Sequence, residues 1–175
     1  MTKLSVNVNK IATLRNSRGG DFPNVVKVAS DIQDVGAEGI TIHPRPDERH
    51  IRYSDVRDLS KLVTTEFNIE GYPNKSFIDL VLEVKPDQVT LVPDSPDVLT
   101  SNAGWNTVRN KELLSEVLAL FKSNAIRTSL FIESNEEMIE GAAIVGADRI
   151  ELYTESFAKL YPSNKEAAIQ PFVIA

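Results

Sequence analysis

Apolar residues in this chain come in short blocks, separated by longer stretches with a different rhythm. Six blocks rich in branched side chains, at 4–8, 39–43, 67–70, 88–92, 126–132 and 149–153, have the length of buried parallel strands. Between them apolar positions recur with a helical period. In "PNVVKVASDIQDVGA" Val25, Val28, Ala29 and Ile32 fall on one face, with Pro23 suited to the first turn and Gly36 to the stop. "SDVRDLSKLV" predicts a helix capped by Ser54, with Val56, Leu59, Leu62 and Val63 as its stripe. Further helices are predicted to open at Asn74, at Asn110 and at Ser134, where Ser134 and Glu137 have capping-box spacing.

Strand then helix, repeated, demands a parallel sheet with helical crossovers. "VGAEGITIH" at Val35 and "VGADRIELY" at Val145 both set Gly-Ala-acid just before a strand, 110 residues apart. That regularity suits a TIM (β/α)8 barrel, which spans about 250 residues. The rival, an open doubly wound sheet, would favour a Gly-rich loop after the first strand, yet "NVNKIATLRNSRGG" holds no G-x-G-x-x-G. From Asn164 the stretch "NKEAAIQPFVIA" starts as a helix and ends on apolar residues without a cap. The expectation is one α/β domain over residues 1–175, a TIM barrel with about its first six strand–helix units present and its C-terminal part missing.

Composition narrows the function classes. With 42% apolar and 25% charged residues the chain has the balance of a soluble globular protein. The lack of a bilayer-length apolar run, and of an N-terminal apolar stretch, predicts a cytoplasmic protein without a membrane partner. Cysteine is absent, which removes disulfides, thiolate metal sites and a cysteine nucleophile. A net charge of -6 and a pI near 5.0 argue against a nucleic-acid surface while leaving room for a local anion pocket.

In parallel strand–helix folds reactive groups sit at the carboxyl ends of strands. Those ends carry Asn7, Asn9 and Lys10 after the first strand, His43 and Arg45 after the second, Glu70 at the third, and Thr100, Ser101 and Asn102 after the fourth. His43, with an ordinary pKa near 6.5, suits proton transfer at neutral pH. Glu70 closes the apolar run "FNIEG", where burial would raise its pKa into a useful range. Lys10, Arg15 and Arg18 make a basic cluster before Gly19-Gly20, predicting a loop able to clamp a phosphate. His50 in "DERHI" could meet a phosphate or hydroxyl. A metal at His43, Asp47, Glu48 and His50 is not expected, because the spacing matches no recognised metal loop and arginines interleave. Neither a G-x-S-x-G elbow nor a P-loop is present.

Taken together, "VNVNKIATLRNSRGG", "GITIHPRPDERHI", "FNIEGYP", "VTLVPDSPDVLTSNAGW" and "RTSLFI" resemble the pyridoxine 5′-phosphate synthase family from about Leu4 onward. The resemblance implies a TIM barrel that condenses 1-deoxy-D-xylulose 5-phosphate with 3-amino-2-oxopropyl phosphate, releasing inorganic phosphate and water, with no metal or organic cofactor. It places proton acceptors on His43 and Glu70, aminoketone-phosphate contacts on Asn7 and Arg18, and deoxyxylulose-phosphate contacts on Asn9, Lys10, Arg45, His50 and Thr100. A homo-oligomer, typically an octamer, is implied as well. Many members carry Asp-His where this chain has Asn9-Lys10, which changes the charge at that contact. The family's later proton-donor histidine and its Gly-rich phosphate loop follow strands seven and eight, so the 175 residues alone are expected neither to close the barrel nor to turn over. Two other readings remain open on the sequence: a truncated, non-catalytic phosphate-binding remnant, and a metal-dependent barrel lyase or aldolase.

Overall fold

All six predicted strands form, at β1 (Ser5–Asn7), β2 (Gly39–Ile42), β3 (Glu66–Gly71), β4 (Gln88–Leu91), β5 (Arg127–Ile132) and β6 (Arg149–Leu152). The computed structural model describes residues 2–93 and 103–175, so Thr100, Ser101 and Asn102 lie outside the described residues. It divides into two units, Met1–Val89 and Thr90–Ala175.

In the first unit, β1 to β3 alternate with α1 (Asn9–Arg18), α2 (Val25–Asp34), α3 (Tyr53–Leu62) and α4 (Lys75–Val84). Parallel pairing sets Asn7 beside Thr41 and Thr41 beside Asn68. Alternation then divides the side chains. Ile40, Ile42, Phe67 and Ile69 are buried together with Val25, Ala29, Val56, Leu59, Phe77, Leu80 and Val81 from the helices. The other face is polar: Ser5 meets Thr41 at 2.8 Å, Asn68 donates to Thr41 at 3.4 Å, and Gln88 donates to Asn68 at 3.3 Å. Thr41, Asn68 and Gln88 are buried, so this ladder satisfies groups that water cannot reach. By the same alternation Asn7, His43 and Glu70 continue the polar face to the carboxyl ends of the strands.

In the second unit, α5 (Lys111–Ser123), α6 (Glu136–Ile144), α7 (Glu155–Leu160) and α8 (Lys165–Ile174) accompany β5 and β6, which pair in parallel with Phe131 beside Glu151. Leu114, Val117, Leu118 and Phe121 of α5 and Leu130 and Ile132 of β5 form its core. Parallel strands in sequence order, joined through helices, are the α/β repeat of a TIM-barrel fold.

The repeated Gly-Ala-acid motif has a geometric cause. Gly36 and Gly146 stand at φ 101° and 85°, where a glycine leaves the helix without strain. Ala37 then donates back to Ile32 at 3.2 Å, as Ala147 does to Ala142 at 3.0 Å, and the next residue joins the preceding strand: Glu38 to Leu4 at 2.8 Å, Asp148 to Thr128 at 3.1 Å.

Several local expectations are corrected. The segment read as a phosphate-clamping loop is helix α1, which ends where Gly19 takes a left-handed φ of 70°. Pro23 stands outside α2, whose cap is Asn24, accepting from Lys27 at 2.8 Å. Ser54 lies inside α3, and the carboxylate of Asp55 accepts instead from the Arg52 N–H at 2.8 Å. The Ser134–Glu137 box does not form because Asn135, one residue later, caps α6 by accepting from Met138 at 3.3 Å. Asn74 caps α4 as predicted. Among the described residues no helix is long and apolar enough to cross a membrane.

Candidate active site

The carboxyl ends of β1, β2 and β3 carry a chain of hydrogen bonds linking both predicted proton carriers. Glu70 accepts from Asn7 Nδ2 at 3.4 Å, Asn7 Oδ1 accepts from the Asn9 N–H at 2.9 Å, and Asn9 Oδ1 accepts from the His43 N–H at 2.8 Å. Asn9 also begins α1, so one residue fixes the helix start to the end of β2. Its side-chain oxygen is thereby committed to protein, leaving the amide N–H donors as its means of meeting a ligand.

His43 and His50 approach edge to face, with ring centroids 5.9 Å apart. Both are half-buried. Desolvation, with the positive charge of Arg45 and then of His50 and Arg49, lowers the His43 pKa to about 3. The expectation of an unperturbed imidazole is therefore corrected: in the ligand-free protein His43 is neutral through the physiological range. Desolvation also lowers the His50 pKa, helped by Arg45, Arg49 and Lys10 and opposed by Asp47. His50 Nδ1 accepts from the Ile51 N–H at 2.9 Å, which leaves Nε2 to carry the proton of the neutral ring.

The remaining predicted residues sort by burial. Arg45 is buried and its charge reaches both imidazoles, whereas Asn7, Lys10 and Arg18 are exposed. Arg18 ends α1, about 13 Å along the helix axis from Asn9, and so stands apart from the hydrogen-bonded chain. Arg15 does not belong with Lys10 and Arg18. It is 2% exposed and locked to Asp55 through two hydrogen bonds of 2.6 and 2.8 Å. Helical geometry explains the split, since Arg15 falls on the face of α1 turned into the protein. Among the described residues no three His, Cys, Asp or Glu side chains gather in a group able to hold a metal.

One acid that the sequence reading passes over is Glu151 of β6, in the second unit. Half-buried, its carboxyl is pushed up by desolvation. The signal was available, because "RIELY" sets an acid within an apolar strand as "FNIEG" does. Such a group holds its proton closer to neutrality than an ordinary glutamate.

Residues 4–174 match the family model described as pyridoxal phosphate biosynthesis protein PdxJ. Among curated relatives, the pyridoxine 5′-phosphate synthases of Bacteroides thetaiotaomicron, Phocaeicola vulgatus and Flavobacterium johnsoniae are 67%, 65% and 63% identical over 175 residues, covering 100% of this chain and 74% of each relative. Among solved structures, a mandelate oxidase complex superposes with a TM-score of 0.65 at 11% identity, over 97% of this chain and 61% of that one. A flavocytochrome b2 variant gives 0.59 at 12% identity, over 98% and 47%. Likeness at that identity concerns the fold alone.

Proposed function

The chain belongs to the pyridoxal phosphate biosynthesis protein PdxJ family, and from that premise we infer the function of a pyridoxine 5′-phosphate synthase. It condenses 1-deoxy-D-xylulose 5-phosphate with 3-amino-2-oxopropyl phosphate to give pyridoxine 5′-phosphate, inorganic phosphate and water. The observation that carries the site assignment is the hydrogen-bonded chain Glu70–Asn7–Asn9–His43, lying beside the cations that act on His43.

Two phosphorylated substrates call for several donors and positive charges, and the residues assigned to them are of those kinds. Arg45, His50, Lys10 and Asn9 take the deoxyxylulose phosphate, a role this reading also gives to Thr100 outside the described residues; Asn7 takes the aminoketone phosphate, and Arg18, which stands apart from Asn7 within one chain, takes it from a neighbouring protomer. Imine formation, loss of phosphate and ring closure each move protons, so the site needs groups that hold and release them. Glu70 shuttles protons during imine formation and dehydration. His43 removes a proton in the later ring-forming steps.

The depressed His43 pKa supports a role that depends on substrate. Arg45 and Arg49 help keep the imidazole neutral in the ligand-free protein. A phosphate dianion seated among them offsets that charge and so raises the His43 pKa, although desolvation, the larger cause of the depression, remains. The working protein is a cytoplasmic homo-oligomer, octameric in this reading.

The direct test is to incubate the full-length protein with both phosphates and quantify pyridoxine 5′-phosphate and free phosphate. Equal molar yields support the function. Absence of product from a folded sample with both substrates present would overturn it.

A further inference from the structure

We propose that Arg15 and Asn16 of α1, together with Asp55 of α3, are positioning residues that hold the segment between Pro44 and Ile51 in its ligand-binding shape. The proposal rests on the synthase reading above, which gives this segment two contacts to deoxyxylulose phosphate, Arg45 and His50.

The segment is a closed loop. Pro44 and Ile51 form an isolated parallel bridge at its base, and Ile51 is fully buried. At its tip Glu48 has a φ of 51°, a conformation that costs a side-chain-bearing residue energy and persists only where neighbours hold it. Three contacts do so. The Glu48 N–H donates to the Arg45 carbonyl at 2.9 Å, Glu48 Oε1 accepts from the Tyr53 N–H at 2.7 Å, and the Glu48 carbonyl accepts from Asn16 Nδ2 at 3.3 Å.

From α1 the hold extends to His50. Its carbonyl accepts from Asn16 Nδ2 at 2.8 Å and from Arg15 Nη2 at 3.2 Å. Arg15 is itself fixed: Nε donates to Asn16 Oδ1 at 3.1 Å, and Nη1 and Nη2 donate to the two carboxylate oxygens of Asp55 at 2.6 and 2.8 Å. Asp55 in turn accepts from the Arg52 N–H at 2.8 Å, at the start of α3. The forked, nearly inaccessible pair leaves one guanidinium N–H aimed at the loop carbonyl, a geometry that lysine's single ammonium would not reproduce. Helix α1 thus grips the loop backbone from behind, while α3 holds the Glu48 carboxylate and anchors Arg15.

Asn16→Ala is the test variant, since Asn16 is only half-buried and the Arg15–Asp55 pair survives its loss. Steady-state kinetics of the full-length enzyme are measured with each substrate varied against a saturating amount of the other, with Arg45→Ala in parallel. Removing the two amide hydrogen bonds to loop carbonyls is expected to raise KM for 1-deoxy-D-xylulose 5-phosphate about fivefold. KM for 3-amino-2-oxopropyl phosphate and kcat should stay close to wild type, while Tm falls by a few degrees because the buried Arg15 Nε–H loses its Asn16 acceptor. An Arg15→Met, Asp55→Leu double variant, which keeps the core filled without buried charge and removes the single Arg15 bond to the His50 carbonyl, should give a smaller rise in the same KM. Parallel rises in both KM values, or a fall in active fraction alone, would make the brace merely structural and overturn the proposal. Unchanged KM values in Asn16→Ala while Arg45→Ala raises the deoxyxylulose-phosphate KM would also overturn it. If Arg45→Ala changes nothing either, the assignment of the loop as a binding site fails with it.

Discussion

The two ends of the strands in the first unit both carry acids, and they use them differently. At the amino ends, Asp87 accepts from the Phe67 N–H at 2.8 Å, and Gln33 Oε1 receives the N–H groups of Thr64 and Thr65 at 2.9 and 3.3 Å. Side chains there complete the backbone ladder. At the carboxyl ends the hydrogen bonds run in series, from the Glu70 carboxylate to the Asn7 side chain, from Asn7 to the Asn9 N–H and from the Asn9 side chain to the His43 N–H, and imidazoles stand beside arginines. The first arrangement lowers the energy of the fold. The second sets two half-buried imidazoles beside the charges of Arg45 and Arg49, an arrangement that suits an anionic ligand.

Substitutions should separate the two ends cleanly. Glu70→Gln keeps the size of the side chain but not its basicity, and is expected to cut kcat by about 10²- to 10⁴-fold with Tm little changed. His43→Asn is expected to lower kcat by about 10²-fold, again in a folded protein. At the amino ends the pattern reverses: Asp87→Ala should cost about 1 kcal/mol in denaturant titration and leave kcat and both KM values near wild type.

The smallest effect is on the pH dependence of stability. The folded protein keeps His43 neutral down to about pH 3, whereas an unperturbed imidazole takes up its proton near 6.5. The unfolded chain therefore binds more protons between those values, and stability falls as pH drops through that window. Chemical denaturation of His43→Asn at a series of pH values should show a shallower decline than wild type. In the second unit, desolvation of Asp148 is outweighed by hydrogen bonds from Lys122 and Thr128, so its pKa falls to about 2. Stability from that carboxylate is present above 3.8 and is lost as pH falls toward 2, so Asp148→Asn should flatten only this lower window.

The six strands are legible in the sequence because their branched, apolar blocks are short and bounded, and because Gly36 and Gly146 mark where helices must stop. What escapes is the alternation within them. Thr41 and Asn68 sit inside apolar blocks, and only pairing across strands reveals that they belong to a polar face leading to His43 and Glu70. Helix α1 escapes for another reason: its sequence, NKIATLRNSR, has no apolar stripe, and its buried side chains are Ala12 and Arg15. An arginine turned inward looks the same in sequence as one turned outward. Arg15 and Arg18 therefore read as one cluster until Asp55, 40 residues away, is seen to claim Arg15.

His43 and His50 are the two histidines of these 175 residues, and both lie on the proposed site, so their imidazole signals report on it directly. In the full-length protein, those signals, assigned with His43→Asn and His50→Asn, would be followed by NMR during titration with 1-deoxy-D-xylulose 5-phosphate. Saturable shifts of both rings, with the His43 pKa rising from about 3, are the predicted result. Unmoved rings in a sample that still forms pyridoxine 5′-phosphate would contradict it, and would place the chemistry elsewhere on the protein.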